Sequence, residues 1–172
     1  MRDVLKLLAR LVLGAYMVIH GSQKLFGAFG GPGLDTAGAG FEAMGLKPGK
    51  HMAMIASATE LGGGVLNATG LADPLGPMMI MGAMTVAAVS HRAKGPLAAK
   101  GGFELPLTNL AFAALAAADG PGRFAINQPL PKKLTAVAAA GGAALAGVSV
   151  AMLLKPPAPA AAEASAGRAP QA

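Results

Sequence analysis

The residues able to do chemistry in this 172-residue chain lie at the ends of its apolar runs or inside them. His20 and Lys24 close the first run, Glu60 sits within the second, His91-Arg92 closes the third, and Glu104 opens the fourth. A carboxyl group held away from water carries protons near neutral pH, because burial raises its pKa. Histidine titrates in the same range. Lysine and arginine donate to carbonyl, carboxylate or phosphate oxygens. There is no cysteine, so thiolate ligands, disulfides and a catalytic thiol are excluded. If the chain takes part in redox chemistry, electrons travel on a bound molecule or on a partner. No nucleophile–base triad and no metal-ligand set is legible. The glycine runs at 30–31, 62–64 and 101–102 lack the strand–turn–helix setting of a nucleotide fingerprint.

Five apolar segments must position these residues: 4–26, 51–71, 75–90, 105–118 and 134–154. A bilayer crossing takes about 20 mainly apolar residues. The first, second and fifth segments meet that length; the third and fourth are shorter and lean on neighbours or flanking residues. In the first loop, Leu34, Ala37, Phe41 and Met44 recur at helical spacing. They predict an interfacial helix at about 34–45, started by Asp35 or Thr36 and stopped by Gly45 and Pro48. The expected organisation is a transmembrane core at 1–128, a linker and further span at 129–154, and a disordered Pro/Ala-rich tail at 155–172. Arg2, Lys6 and Arg10 ahead of an apolar run also suit a signal peptide, but no small-residue cleavage site follows.

Composition agrees. Hydrophobic residues make up 53% and charged residues 13%, against roughly a quarter charged in soluble domains. The net charge of +6 lies mostly between or at the ends of apolar runs, which suits anionic lipid head groups. It forms no basic stripe with interleaved aromatics, so nucleic acid is not an expected partner. The first loop, third loop and C-terminus carry eight cations and the opposite side six, which leaves orientation open under the positive-inside rule.

With five spans, the first and third loops share a membrane face. His20, Lys24, His91, Arg92 and Glu104 then gather there, with Glu60 roughly 14 Å deep. On the first helix, Arg10, Met17, His20, Gly21 and Lys24 form one stripe at about 100° per residue. On the second, Glu60, Gly63, Gly64 and Asn67 share a face whose glycines admit a neighbouring backbone or a flat ligand. Each residue also has a structural reading. Glu60 costs at least ~2.5 kcal/mol if charged and unpaired in a span, so it is either paired with Arg10 or Lys24 or engaged with a ligand or proton. His20 bonds a carbonyl or a ligand. His91-Arg92 anchors at the interface or binds. Glu104 caps its helix or binds, and His51 is solvated. A haem between His20 and His91 is disfavoured, since both lie at span ends.

The run HGSQKLFGAFGGPG, the helix ending MGLKP, ATELGGGVLNATG, HR at 91–92 and GGFELPLTNLAFAALAAADGPGRF, in this order, resemble the DoxX family of small bacterial membrane proteins over roughly residues 5–128. The resemblance implies an all-α, polytopic four-helix membrane bundle in the bacterial cytoplasmic (inner) membrane, with the fifth span and the tail as additions. By position it marks His20, Gly21, Lys24, Glu60, Gly63, His91, Arg92, Gly102, Glu104, Gly120 and Gly122. It departs from the family after Arg92, where the chain reads AKGPL, and after GPGR, where Phe-Ala-Ile-Asn replaces a Ser-Leu-Asp type ending.

Relatives include a subunit of a thiosulfate:quinone oxidoreductase and proteins linked to oxidative stress. The implied role is a redox subunit with quinone as the possible ligand. His20, Lys24, His91, Arg92, Glu104 and Gly63 would bind, Glu60 would carry protons, and Arg10, Gly21 and Gly102 would support the structure. The alternatives are a scaffold holding soluble redox enzymes through Arg92, Lys94 and Lys100, and a proton-coupled small-solute transporter. Ala138, Gly142 and Ala146 form a small-residue ridge expected to meet a partner or a second copy.

Overall fold

The computed structural model describes residues 1–126 and 128–155; the tail expected at 155–172 lies, but for Lys155, outside the described residues. Six α-helices follow in order: α1 (Arg2–Phe26), α2 (Gly33–Ala43), α3 (Gly49–Thr69), α4 (Leu75–His91), α5 (Glu104–Asp119) and α6 (Lys132–Leu154). The chain is all-α, and among the described residues it has no strand, only an isolated bridge between Leu71 and Gln128.

The helix ends follow the punctuation of the sequence. α1 and α3 stop at Gly27 and Gly70, each left-handed with φ near 70°, a conformation glycine adopts without a Cβ penalty. Proline precedes the first residue of α2, α3, α4 and α6, where its missing N–H costs no helical bond. The expected cap on α2 is not made: Pro32 stands at its start without a side-chain bond. Asp35 instead pairs with Lys50 at 2.6 Å.

α1 and α3 pack closely along much of their length, and small residues explain how. A Cβ on Gly64 would lie 2.7 Å from Gly14 O, and one on Gly21 would lie 2.7 Å from Leu61 N and Ser57 O. The two backbones therefore touch, as small-residue helix pairs in membranes do. α4 packs on α3, α5 and α6 and so lies at the centre. The buried core joins Leu13 and Met17 of α1, Ile80 and Met84 of α4, and Ala113 of α5. α2 lies against the start of α3, with Ala37 and Gly38 buried.

Outward faces are apolar as well. Leu5, Leu8, Val12, Tyr16 and Ile19 of α1, and Leu134, Val137 and Val148 of α6, are exposed. Such rows suit lipid, not water. α1 and α6 are each long and apolar enough to cross a bilayer.

Candidate functional site

The ionisable residues gather at two levels of the bundle. At the first, the ends of α1 and α4 meet α3 midway along its length. Lys24, in the last turn of α1, reaches Glu60 of α3: Nζ lies 2.5 Å from Oε2, with the Glu60 side chain 8% exposed and Lys24 21%. No donor meets Oε2 at a hydrogen-bonding angle, so the contact is ionic and leaves the carboxylate's lone pairs underused.

Beside the pair opens a cavity of about 380 Å³, walled by α3, α4 and α6 and bordered by α2. This falls within the range of small-molecule pockets, roughly 300–1,000 Å³. Met44, Met52, Ile55, Met79, Val86 and Leu145 give it apolar walls. Lys24, Thr59, Glu60, Ser90, His91 and Ser149 supply its polar points. His91 Nδ1 lies 2.8 Å from Gly101 O. A carbonyl only accepts, so Nδ1 carries the hydrogen and the neutral ring offers Nε2 as an acceptor.

The second level lies toward the N-terminus of α1 and the end of α3. Arg10 is 5% exposed and contacts no carboxylate among the described residues. Its Nε donates to Asn67 O at 3.0 Å. One terminal nitrogen donates to Pro121 O, and the other to Ala68 O at 2.8 Å and Phe124 O at 3.1 Å. Asn67 Nδ2 returns a bond of 3.0 Å to Arg10 O. Asn67 and Ala68 carbonyls belong to the last turn of α3, which has no helical partners for them. A guanidinium satisfies them and suits the negative end of the helix dipole. In the loop after α3, burial pushes the Asp73 carboxyl up, while Arg10 and Lys6 oppose the shift.

Several expectations change. Arg10 does not pair with Glu60; it and Lys24 share a stripe but sit roughly 21 Å apart along α1 at 1.5 Å per residue. His20 is exposed beside Tyr16, ring centroids 6.2 Å apart, and does not line the cavity. Glu104 neither caps its own helix nor reaches the cavity: its Oε1 accepts from Ala98 N at 2.7 Å and holds the third loop. Gly63 and Gly64 admit no ligand. Gly63 faces Met79 and Gly76 of α4, and Gly64 faces α1. Gly21 packs on α3, and Gly102 fits beneath Gly95 and Pro96. Arg92 ties α4 to α6 by donating to Val89 O at 2.9 Å and Leu153 O at 3.0 Å. His51 is exposed as expected.

Lys24, Glu60 and His91 are thus brought together; His20, Glu104, Gly63 and Arg10 are elsewhere. The cavity lies between α3, α4 and α6, not between α1 and α3. Its α6 wall was missed. The ridge of Gly142 and Ala146 turns inward and, with Leu145 and Ser149, closes the cavity. The small residues at 138, 142 and 146, followed three positions on by Ser149, carry that signal.

Together these features define an all-α membrane bundle with a charged, apolar-walled cavity beside the Lys24–Glu60 pair. A model of the DoxX family matches residues 5–93, half the chain, and the protein belongs to that family. The match takes in Lys24, Glu60, His91 and Arg92 and ends before Glu104 and α6. No curated protein and no solved structure matches the chain.

Proposed function

We propose that this protein is a multi-pass subunit of a redox system in the bacterial cytoplasmic membrane, and that its cavity receives a quinone-type ring. One observation carries the reading: a cavity of about 380 Å³ with methionine-rich walls meets the buried Glu60, its half-buried partner Lys24 and the ring of His91. Apolar walls take an isoprenoid-bearing ring out of lipid. Lys24 donates to a ring oxygen, and Glu60 is placed to exchange a proton there. The chain has no cysteine, so the electrons come from a bound molecule or a partner subunit.

The test is to purify the protein in mild detergent and quantify co-extracted quinone against bulk membrane lipid. Enrichment that disappears in Glu60→Gln is expected. No enrichment, together with unchanged quinone reduction in a deletion strain, rejects the reading.

A second reading, a scaffold for soluble redox enzymes, is favoured by the third loop, where Arg92, Lys94 and Lys100 are all exposed. Under it, replacing those three by glutamine abolishes co-purification of a soluble partner, while Glu60→Gln does not.

A further inference from the structure

The polar groups on the cavity wall have already given away most of their hydrogens. Ser90 Oγ donates to Ala87 O at 2.8 Å, and Ser149 Oγ donates to Leu145 O at 2.9 Å. Carbonyls accept only, so each hydroxyl hydrogen points back into its own helix and each oxygen is left as an acceptor. His91 is in the same state, with Nδ1–H spent on Gly101 O and Nε2 free to accept. Lys24 is the strong donor on the wall, and it is drawn to Glu60 at 2.5 Å. Thr59 is the wall hydroxyl without a bond among the described residues. The three hydrogens of the Lys24 ammonium face a carboxylate with about four acceptor sites, so the pair brings no surplus of donors; beyond it, three acceptors remain against one hydroxyl of free orientation.

A wall of this kind discriminates by what the ligand brings. A ligand whose polar atoms are acceptors alone leaves these acceptors unmatched, the buried Ser149 and the half-buried Ser90 and His91, and an unmatched polar group held away from water costs more than a made bond gains. A ligand with hydroxyl hydrogens satisfies them. We infer that the cavity selects a lipophilic molecule that carries its own hydroxyl donors, so that of a quinone couple it binds the hydroquinone in preference to the quinone. This rests on the quinone-linked reading above and adds to it the redox form that the site prefers. The ring of His91, where α4 ends at the mouth of the third loop, accepts one hydroxyl; the Ser149 side of α6 offers an acceptor across the cavity.

The experiment is anaerobic equilibrium dialysis of the detergent-solubilised full chain against a short-chain benzoquinone and, separately, its hydroquinone. The hydroquinone is expected to bind at least about tenfold more tightly, the scale of one matched polar contact. His91→Phe removes the Nε2 acceptor and is expected to bring the two affinities together by weakening the hydroquinone. Ser149→Ala changes a hydroxyl bonded only within its own helix, so it probes the same point with the third loop untouched; it is expected to lower the preference at least twofold. Equal or tighter binding of the quinone, or a preference unmoved by both variants, overturns this inference and leaves the quinone-linked reading standing. Binding of neither form removes both.

Discussion

Arg10 and Lys24 lie on one stripe of one helix, and their surroundings could hardly differ more. Arg10 gives its hydrogens to four backbone carbonyls from α3 and the loop after α5. It closes a corner where three chain segments meet, with four of its five N–H groups used. Lys24 meets a single carboxylate at the edge of a cavity. Five donors in a planar fork suit several fixed oxygens; one ammonium on a flexible stem is a point charge that suits a single partner. The same membrane helix thus carries a structural cation at one level and a chemically available one at the other.

The comparison breaks most sharply at Arg10. Arg10→Gln strands carbonyls that the guanidinium satisfies, and a loss of about 3 kcal/mol is expected, the scale for removing one partner of a largely buried charged network. Arg10→Lys recovers only part, since an ammonium cannot span carbonyls on both sides of the fork. Thermal unfolding in detergent, followed by circular dichroism, measures both. Full stability in Arg10→Gln would mean that the corner holds without its clamp.

Glycines extend the contrast to packing. A Cβ on Gly64 would press on Gly14 O at 2.7 Å, whereas one on Gly82, on the cavity wall, meets nothing within 4 Å. Gly64→Ala is expected to cost about 1–3 kcal/mol by forcing α1 and α3 apart. Gly82→Ala is expected to be neutral or to gain up to about 1 kcal/mol from helix propensity. Gly82→Leu then fills the cavity: ligand uptake falls while the melting temperature holds. If Gly82→Leu unfolds the protein, the space is not a cavity in the working molecule.

Much of this fold is written in punctuation. The helices end at Phe26, Thr69, His91, Asp119 and Leu154, where the apolar runs give way to clusters of glycine, proline and charge, and that signal is local. The Lys24–Glu60 pairing was legible too: one acid in an apolar run needs a cation, and antiparallel neighbours bring the end of α1 beside the middle of α3. What failed is rotation and depth. His20 lies roughly 80° round α1 from Arg10 at about 100° per residue, enough to turn it out of the bundle toward Tyr16. Arg10 was assigned to the Lys24 cluster on angle alone, while its axial distance put it with carbonyls that leave no trace in side-chain chemistry. The cavity wall on α6 depends on how a helix beyond the family match leans on α4, and periodicity within one helix does not say which face its neighbour takes.

Glu60→Gln sharpens the difference between a pair that supports the fold and one that serves a site. Removing the negative charge leaves Lys24 able to reach water, as its side chain is already 21% exposed. Gln keeps the shape, so the stability change is expected within about 1 kcal/mol. Arg10→Gln and Glu60→Gln therefore differ severalfold in stability, with the larger loss of ligand binding in the second. A Glu60→Gln variant as unstable as Arg10→Gln would make the pair structural.

The smallest effect concerns Asp73, which lies near the Arg10 corner and is held above the usual carboxylate range chiefly by burial, with Arg10 and Lys6 opposing. A carboxyl whose folded-state pKa is raised binds its proton more tightly in the folded chain. Ionisation then costs stability, so this group's contribution falls as pH rises from the ordinary carboxylate pKa through the raised one. Asp73→Asn cannot ionise and escapes that loss. Below the ordinary pKa the variant and the parent should melt together; above the raised one, the variant should melt slightly higher, by about 1–2 °C given how far solvent screens a partly exposed group. The difference between the two melting curves, taken across pH, isolates Asp73 from the other carboxylates. A parent that is more stable than Asp73→Asn at neutral pH would mean that attraction to Arg10 outweighs burial, and that the corner holds a working ion pair after all.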